Sequence, residues 1–238
     1  MKAIETEHAH AKGAISSPAA TFVLPRIRMG AFETPVGGWG KRTLDVSLAL
    51  AMLIVFAPLI AGLALLVYSS SPGPVLYPHR RVGYRNRSFR CLKLRTMVAN
   101  GDEVLKRHLD RDPSARREWE ETRKLRDDPR VTPVGHVLRK LSLDELPQLV
   151  NVLRGEMSLV GPRPVPTDEL QRYGRSSRFY LRARPGITGL WQVSGRNTTS
   201  YQRRVAYDRA YVTKFSTATD IAILAQTLPA AMRSSETA

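Results

Sequence analysis

The sequence predicts a mainly helical α+β chain, with a hydrophobic helix hairpin that enters a membrane and returns, then one compact domain. Three observations predict it. Val46 to Tyr68 runs 23 residues without a charge. Phe89 to Arg95 alternates apolar and polar side chains, the period of a half-buried strand. Leu146, Leu149, Val150 and Leu153 fall at i, i+3, i+4 and i+7, one face of a helix. A length of 238 residues suits one domain with appendages, and 42% hydrophobic residues exclude full disorder.

Residues 1–40 carry no sustained period. Pro18, Pro25, Pro35 and Gly37-Gly38 interrupt them, so a flexible lead-in is expected. Glu5 and Glu7 stand where a secretory signal needs positive charge, which argues against one. Residues 41–72 form the membrane element. As a straight helix Val46–Tyr68 would be about 35 Å long, enough to cross a hydrocarbon core of about 30 Å. A buried core helix is the soluble alternative, but a helix apolar all round for this length rarely sits in a small soluble fold. Pro58 lies near its middle, removes a backbone donor and favours a kink. Lys41-Arg42 precede the run, and Arg80, Arg81, Arg85, Arg87 and Arg90 follow it. Cationic flanks prefer the cytoplasmic side, so a return to the same face at Pro58 is preferred over a full span.

Residues 73–233 form the compact domain. Val75–Tyr77 reads as a short extended stretch, followed by a basic loop and the strand at Phe89–Arg95. Residues 101–126 read as an exposed charged helical region, and Gly135–Lys140 as a short helix. The helix over Leu146–Leu153 has Gly155 placed to end it. Gly161–Pro166 reads as a rigid loop, Arg184–Gly189 as a turn-rich passage, and two helices are expected near 199–213 and 218–233.

The formal charge is +16, from 37 Lys+Arg against 21 Asp+Glu. Such a balance implies a polyanionic partner without choosing among nucleic acid, anionic lipid and phosphorylated substrates. Residues 102–130 hold nine acids and nine bases, so the excess comes from elsewhere, notably seven Lys/Arg and no acid between His79 and Arg95. A nucleic-acid partner leaves the uncharged run unexplained, and no nucleic-acid-binding motif is present. The lone Cys91 forms no intramolecular disulfide and no cysteine metal cluster. There is no P-loop, G-x-G-x-x-G or zinc signature, and His79, His108 and His136 lack metal spacing.

Asp144-Glu145 is the pair that invites chemistry. Ser142 with Glu145 fits a capping box, the bland reading. The same position suits two adjacent carboxylates for Mg²⁺ with a phosphate co-ligand, or a carboxylate that attacks phosphorus. Arg163 stands between two prolines that set its backbone, and its planar fork matches phosphate, though a solvated loop arginine fits equally. Arg196 follows Gly195, which admits close backbone approach. Lys93 in its strand either meets phosphate or faces solvent. Asp208 and Asp220 sit in the late helices, where surface acids are the default.

Taken in order, these segments resemble the bacterial sugar transferases. The resemblance rests on Lys41-Arg42, the hydrophobic run, Ser71-Pro72-Gly73-Pro74, Lys93-Leu94-Arg95-Thr96-Met97 and Leu143-Asp144-Glu145-Leu146-Pro147-Gln148. It continues through Ser158-Leu159-Val160-Gly161-Pro162-Arg163-Pro164 and the passage from Arg184 to Asn197. It covers roughly residues 40–230 and is nearest to the small monotopic polyprenyl-phosphate sugar-1-phosphate transferases. The resemblance implies a cytoplasmic catalytic domain with interfacial amphipathic helices at the bacterial inner membrane. It implies transfer of hexose-1-phosphate, glucose or galactose favoured, from a UDP-sugar to undecaprenyl phosphate with release of UMP. That reaction opens exopolysaccharide repeat-unit assembly. It further implies Asp144 as nucleophile of a covalent phosphosugar intermediate, and Glu145 as ligand of Mg²⁺. Lys93, Arg139, Arg163 and Arg196 would bind phosphates, with Asp208 and Asp220 nearby. Anionic membrane lipids and other polysaccharide-assembly enzymes are the further partners implied. The chain departs from the family pattern at the kink, where Ala57 precedes Pro58 and a serine is usual. A basic membrane-associated scaffold without catalysis is the alternative, against which the intact Asp144-Glu145 pair argues.

Overall fold

The computed structural model describes residues 34–122, 124–195 and 199–235. The lead-in expected over 1–40 therefore lies mostly outside the described residues. In chain order the elements are α1 (Gly38–Ser70), β1 (Leu76–Val82), β2 (Ser88–Leu94), α2 (Gly101–Arg111), α3 (Pro113–Thr122), α4 (Pro133–Lys140) and α5 (Gln148–Arg154). There follow β3 (Ser158–Val160), α6 (Thr167–Gln171), α7 (Ser177–Tyr180), β4 (Gly186–Thr188), α8 (Leu190–Ser194), α9 (Tyr201–Thr213) and α10 (Thr217–Ser235). The fold is α+β and mainly helical, as the patterning implies.

Helix α1 is continuous over 33 residues and carries Pro58 inside it. It is long and apolar enough to cross a membrane. Its middle is bare: Ile54, Val55 and Leu59 are all exposed. Its two ends are not. Near the start Lys41, Asp45 and Ala49 are buried, and near the end Leu63 and Val67. Ala49 joins the main core with Leu149, Val152, Leu159, Val160, Tyr211 and Ile223. Leu63 and Val67 join a separate cluster with Leu94 and Leu138. Both ends of α1 thus pack on the same domain.

The two leading cations serve this docking. Lys41 Nζ lies 2.5 Å from Asp220 of α10. Arg42 donates to the carbonyls of Val152 and Leu153 at 2.6 and 2.9 Å, satisfying the open C-terminal end of α5. As cationic flanks of the apolar run, both were expected on the cytoplasmic side of a membrane. The fold instead spends them on itself, because a buried carboxylate and a row of orphan carbonyls outcompete water as partners. Asp45 extends the same joint by accepting from the Leu159 amide at 3.1 Å.

The basic segment expected as a loop is the continuation of a strand. β1 and β2 pair antiparallel, with Tyr77 opposite Lys93, His79 opposite Cys91 and Arg81 opposite Phe89. Side chains alternate across a strand. Tyr77, His79, Arg81, Phe89, Cys91 and Lys93 therefore share one face, while Arg80 and Arg90 face each other on the opposite one. A tight turn at Tyr84–Asn86 joins the strands, with Arg85 and Asn86 at positive φ. A second, two-stranded parallel pairing joins β3 and β4.

The charged region is two helices, because Asp112-Pro113 divides it. Asp112 Oδ1 accepts from the amides of Ser114 and Ala115 at 2.8 and 3.1 Å, which caps α3. Helix α5 ends at Gly155 with φ 80°, as its sequence position implies. The capping box does not form: Ser142 has φ 57° and makes no side-chain cap bond, and Leu143–Glu145 is a single 3₁₀ turn.

Candidate active site

Strand β2 and the turn ahead of α5 bring three of the expected residues together. Lys93 Nζ lies 2.7 Å from Glu145 Oε1 and 3.4 Å from Asp144 Oδ2. The Asp144 side chain is 11% exposed and the Glu145 side chain 30%. Burial raises the Asp144 pKa above the usual aspartate value, aided by the Glu145 charge and opposed by Lys93. For Lys93, burial pulls the pKa down, but the carboxylates of Glu145 and Asp144 outweigh it and the net direction is up. The ammonium form is held in place.

The strand is steered by Asn151, which is 0% exposed. Its Oδ1 accepts from the Leu92 amide at 2.9 Å, and its Nδ2 donates to the Arg90 carbonyl at 2.8 Å. A polar side chain buried on α5 thereby sets the register of β2 beside the carboxylates. Sequence reading passed over Asn151. Its one signal was a polar residue inside an otherwise apolar helical turn.

Arg139 projects from the last turn of α4. Its Nε donates to the Thr96 hydroxyl at 2.8 Å. Its charge is a minor influence that lowers the pKa of both Asp144 and Asp128. Thr96 is a second residue that the sequence reading left unassigned. Gly135 lets α4 approach it: a Cβ there would stand 2.0 Å from the Thr96 carbonyl oxygen.

Arg163 lies over the Trp191 ring, 5.7 Å from its centre, and its positive charge acts on Arg81 and Cys91. The Cys91 thiol shares the strand face of Arg81 and Lys93; burial, the largest influence, and Glu145 push its pKa up, while Lys93, Arg81 and Arg163 pull it down. Burial pushes that thiol up to about 11, which leaves it inert. Arg81 donates to His79 Nδ1 at 3.1 Å; the sequence placed Arg81 only in the cationic flank of the apolar run and gave His79 no role at the site.

Arg196 lies outside the described residues. Asp208 and Asp220 are enclosed by protein, 3% and 1% exposed. Asp208 accepts from the Tyr173 hydroxyl at 2.8 Å and from the Arg163 backbone, and burial raises its pKa to about 7. Asp220 is held by Lys41 and lies 2.8 Å from the Tyr211 hydroxyl. Asp208 therefore touches the Arg163 loop, while Asp220 belongs to the α1 joint.

The carboxylate pair fits a magnesium ion. Mg²⁺ is held through one or two carboxylates, with substrate phosphate and water completing the shell. Asp144 and Glu145 already share one cationic group between them, the Lys93 ammonium. Among the described residues no group of three or more His, Cys, Asp or Glu stands ready as a metal cage.

Comparison with known proteins adds a family. A family model described as bacterial sugar transferase matches residues 36–234. The chain is 52% identical over 219 residues to the exopolysaccharide production protein ExoY of Sinorhizobium fredii, covering 92% of this chain and 96% of that protein. It is 51% identical over 193 residues to the undecaprenyl-phosphate galactose phosphotransferase of Salmonella typhimurium, covering 81% of this chain and 40% of that one. It is 41% identical over 197 residues to the UDP-glucose:undecaprenyl-phosphate glucose-1-phosphate transferase of Caulobacter vibrioides, covering 79% and 68%.

Proposed function

The chain belongs to the bacterial sugar transferase family, and from that premise we propose that it transfers a hexose-1-phosphate from a UDP-sugar to undecaprenyl phosphate. UMP is released, and the lipid-linked product primes exopolysaccharide assembly. Relatives named for galactose and for glucose transfer support a neutral hexose. The observation that carries the reading is the buried Asp144 held beside Lys93 and Glu145.

Asp144 acts as nucleophile. Its carboxylate oxygen attacks the sugar-bearing phosphorus, and the bond from that phosphorus to the bridging oxygen breaks. The oxygen leaves with UMP, and an aspartyl phosphosugar remains. The terminal phosphate of undecaprenyl phosphate then attacks the same phosphorus and returns the carboxylate. Splitting the reaction lets one polyanion leave before the other arrives. Lys93, Arg139, Arg163 and Arg196 offset the phosphate charge, which is the main demand of phosphoryl transfer. Asp208 keeps the Arg163 loop in place. Glu145, with Asp144, would hold Mg²⁺, whose charge would neutralise the diphosphate when bound.

The site works at a membrane face. The exposed middle of α1 is an apolar surface that water would not tolerate on a monomer. Because both ends of α1 dock on one domain, we read the helix as dipping into the bilayer and returning at Pro58. The domain then sits on the cytoplasmic face of the inner membrane, with exposed Arg80, Arg85, Arg87 and Arg90 toward anionic lipid. The amphipathic α2 would lie along the interface.

The test is UMP release by the purified chain with undecaprenyl phosphate and a panel of UDP-sugars. UDP-glucose or UDP-galactose should release UMP and label the lipid, and Asp144→Asn should lose both turnover and the covalent adduct. Normal turnover in Asp144→Asn would sink the mechanism.

A further inference from the structure

Between the segment that follows α3 and the start of α4 lies an open cleft of about 810 Å³. Its walls include Met97, Pro129, Val131 and Pro133, with His136 and Arg139 of α4 at its side. Of these residues only Arg139 has a part in the proposed catalysis. The wall is held in shape by protein contacts. Arg130 binds Asp128 at 2.6 and 2.8 Å and lies over the Trp119 ring, 5.1 Å from its centre. Met97 and Val131 are joined by an isolated β-bridge.

We infer that this cleft takes the nucleoside monophosphate part of the donor, with Arg139 on the phosphate at the boundary between cleft and carboxylate pair. The inference rests on the donor reading above and adds where its leaving half sits. Four observations carry it. Arg139 lines the cleft, is fixed by the Thr96 hydroxyl at 2.8 Å, and its carbonyl accepts from the Ser142 amide at 3.1 Å in the turn that leads to Asp144, so it stands between cleft and carboxylates. The volume falls in the range of small-ligand pockets and exceeds what a hexose alone needs. Met97, Pro129, Val131 and Pro133 give the cleft an apolar wall for a base. Asp127 also lines the cleft and is exposed. A carboxylate has two acceptor oxygens, which match the vicinal hydroxyls of a ribose. Lys124, Arg126 and Asp127 on the rim make the cleft unsuitable for a polyprenyl tail.

The native thiol makes a clean test, because Cys91 is only 1% exposed. In the full chain in detergent or nanodiscs, Lys124→Cys adds one accessible thiol at the rim. UMP should slow its maleimide labelling about tenfold, and glucose-1-phosphate should not. Asp127→Ala should raise KM for the UDP-sugar about tenfold with kcat little changed, and should weaken the UMP protection in the Lys124→Cys background by a similar factor. Asp127→Asn serves as a second, isosteric variant. A chain that transfers sugar phosphate but shows no UMP protection overturns the cleft, as does protection by glucose-1-phosphate instead of UMP. Protection by UMP in a chain that transfers nothing supports the cleft and removes the transferase reading.

Discussion

Two buried carboxyls make opposite uses of burial. Asp144 must be ionised to attack, and burial holds its pKa above the ordinary value while Lys93 pulls it down. The acid limb of kcat/KM should therefore lie above the usual aspartate range. Lys93→Met removes the opposing charge. It should move that limb further up in pH and cut the rate about 100-fold, consistent with losing one positioned charge; a pH–rate profile of both proteins reads this. Asp208 is raised from 3.8 to about 7, chiefly by burial. A group whose folded pKa is raised favours folding fully below its unfolded pKa, and that contribution fades as pH rises through the folded one. Stability from Asp208 is thus present near pH 4, falls up to about pH 7 and is flat above. Asp208→Asn keeps an acceptor for Tyr173 and should flatten this stretch, seen as a smaller difference in Tm between pH 5 and pH 8 than in the parent chain. Asp144, Glu145 and Lys93 were legible in sequence because each lies in a distinctive local run. Thr96, Asn151 and Arg81 were not, since their roles come from partners brought close only by folding, as in the reach of Asn151 to Leu92.

Helix α4 shows how an element places a side chain that its own sequence does not explain. Thr132 caps it by accepting from the Gly135 amide at 2.9 Å, and Leu138 anchors it at 2% exposure. Between these, Gly135 faces the Thr96 backbone, where a methyl has no room. Gly135→Ala should push α4 away from β2, cost roughly 1–3 kcal/mol as overpacking does, and separate Arg139 from the Thr96 hydroxyl. Thermal denaturation should show the loss of stability, and KM for the UDP-sugar should rise alongside it. At this scale the sequence was informative about helices and their ends, with Gly155 the best case. It misread Ser142, whose positive φ turns Asp144 into the site rather than beginning a helix. It also stopped β1 too early, because a run of arginines reads as loop until its pairing with β2 is known.

At the scale of the whole molecule, the decisive feature is that one domain grips α1 twice. The first grip is the Lys41–Asp220 pair with the Arg42 contacts to α5. The second is Leu63 and Val67 against Leu94 and Leu138, followed by Arg95, which donates to the carbonyls of Ser71 and Pro72. A helix of 33 residues is about 50 Å long if straight, longer than a bilayer core is thick. A crossing would carry Leu63–Ser70 to the far side and forfeit the second grip, exposing Leu94 and Leu138 as well. Burying a large aliphatic side chain contributes about 1.5–3 kcal/mol, so exposing Leu94 and Leu138 to water is the cost a crossing would carry. Single cysteines at Thr43 and Ser69 should therefore react with an impermeant thiol reagent from the same side of sealed inner-membrane vesicles, the side that also labels the exposed Lys106→Cys. A cysteine at Val55 should be shielded from both sides. Labelling of Thr43→Cys and Ser69→Cys from opposite sides would show a full crossing and would require the second grip to open in the membrane.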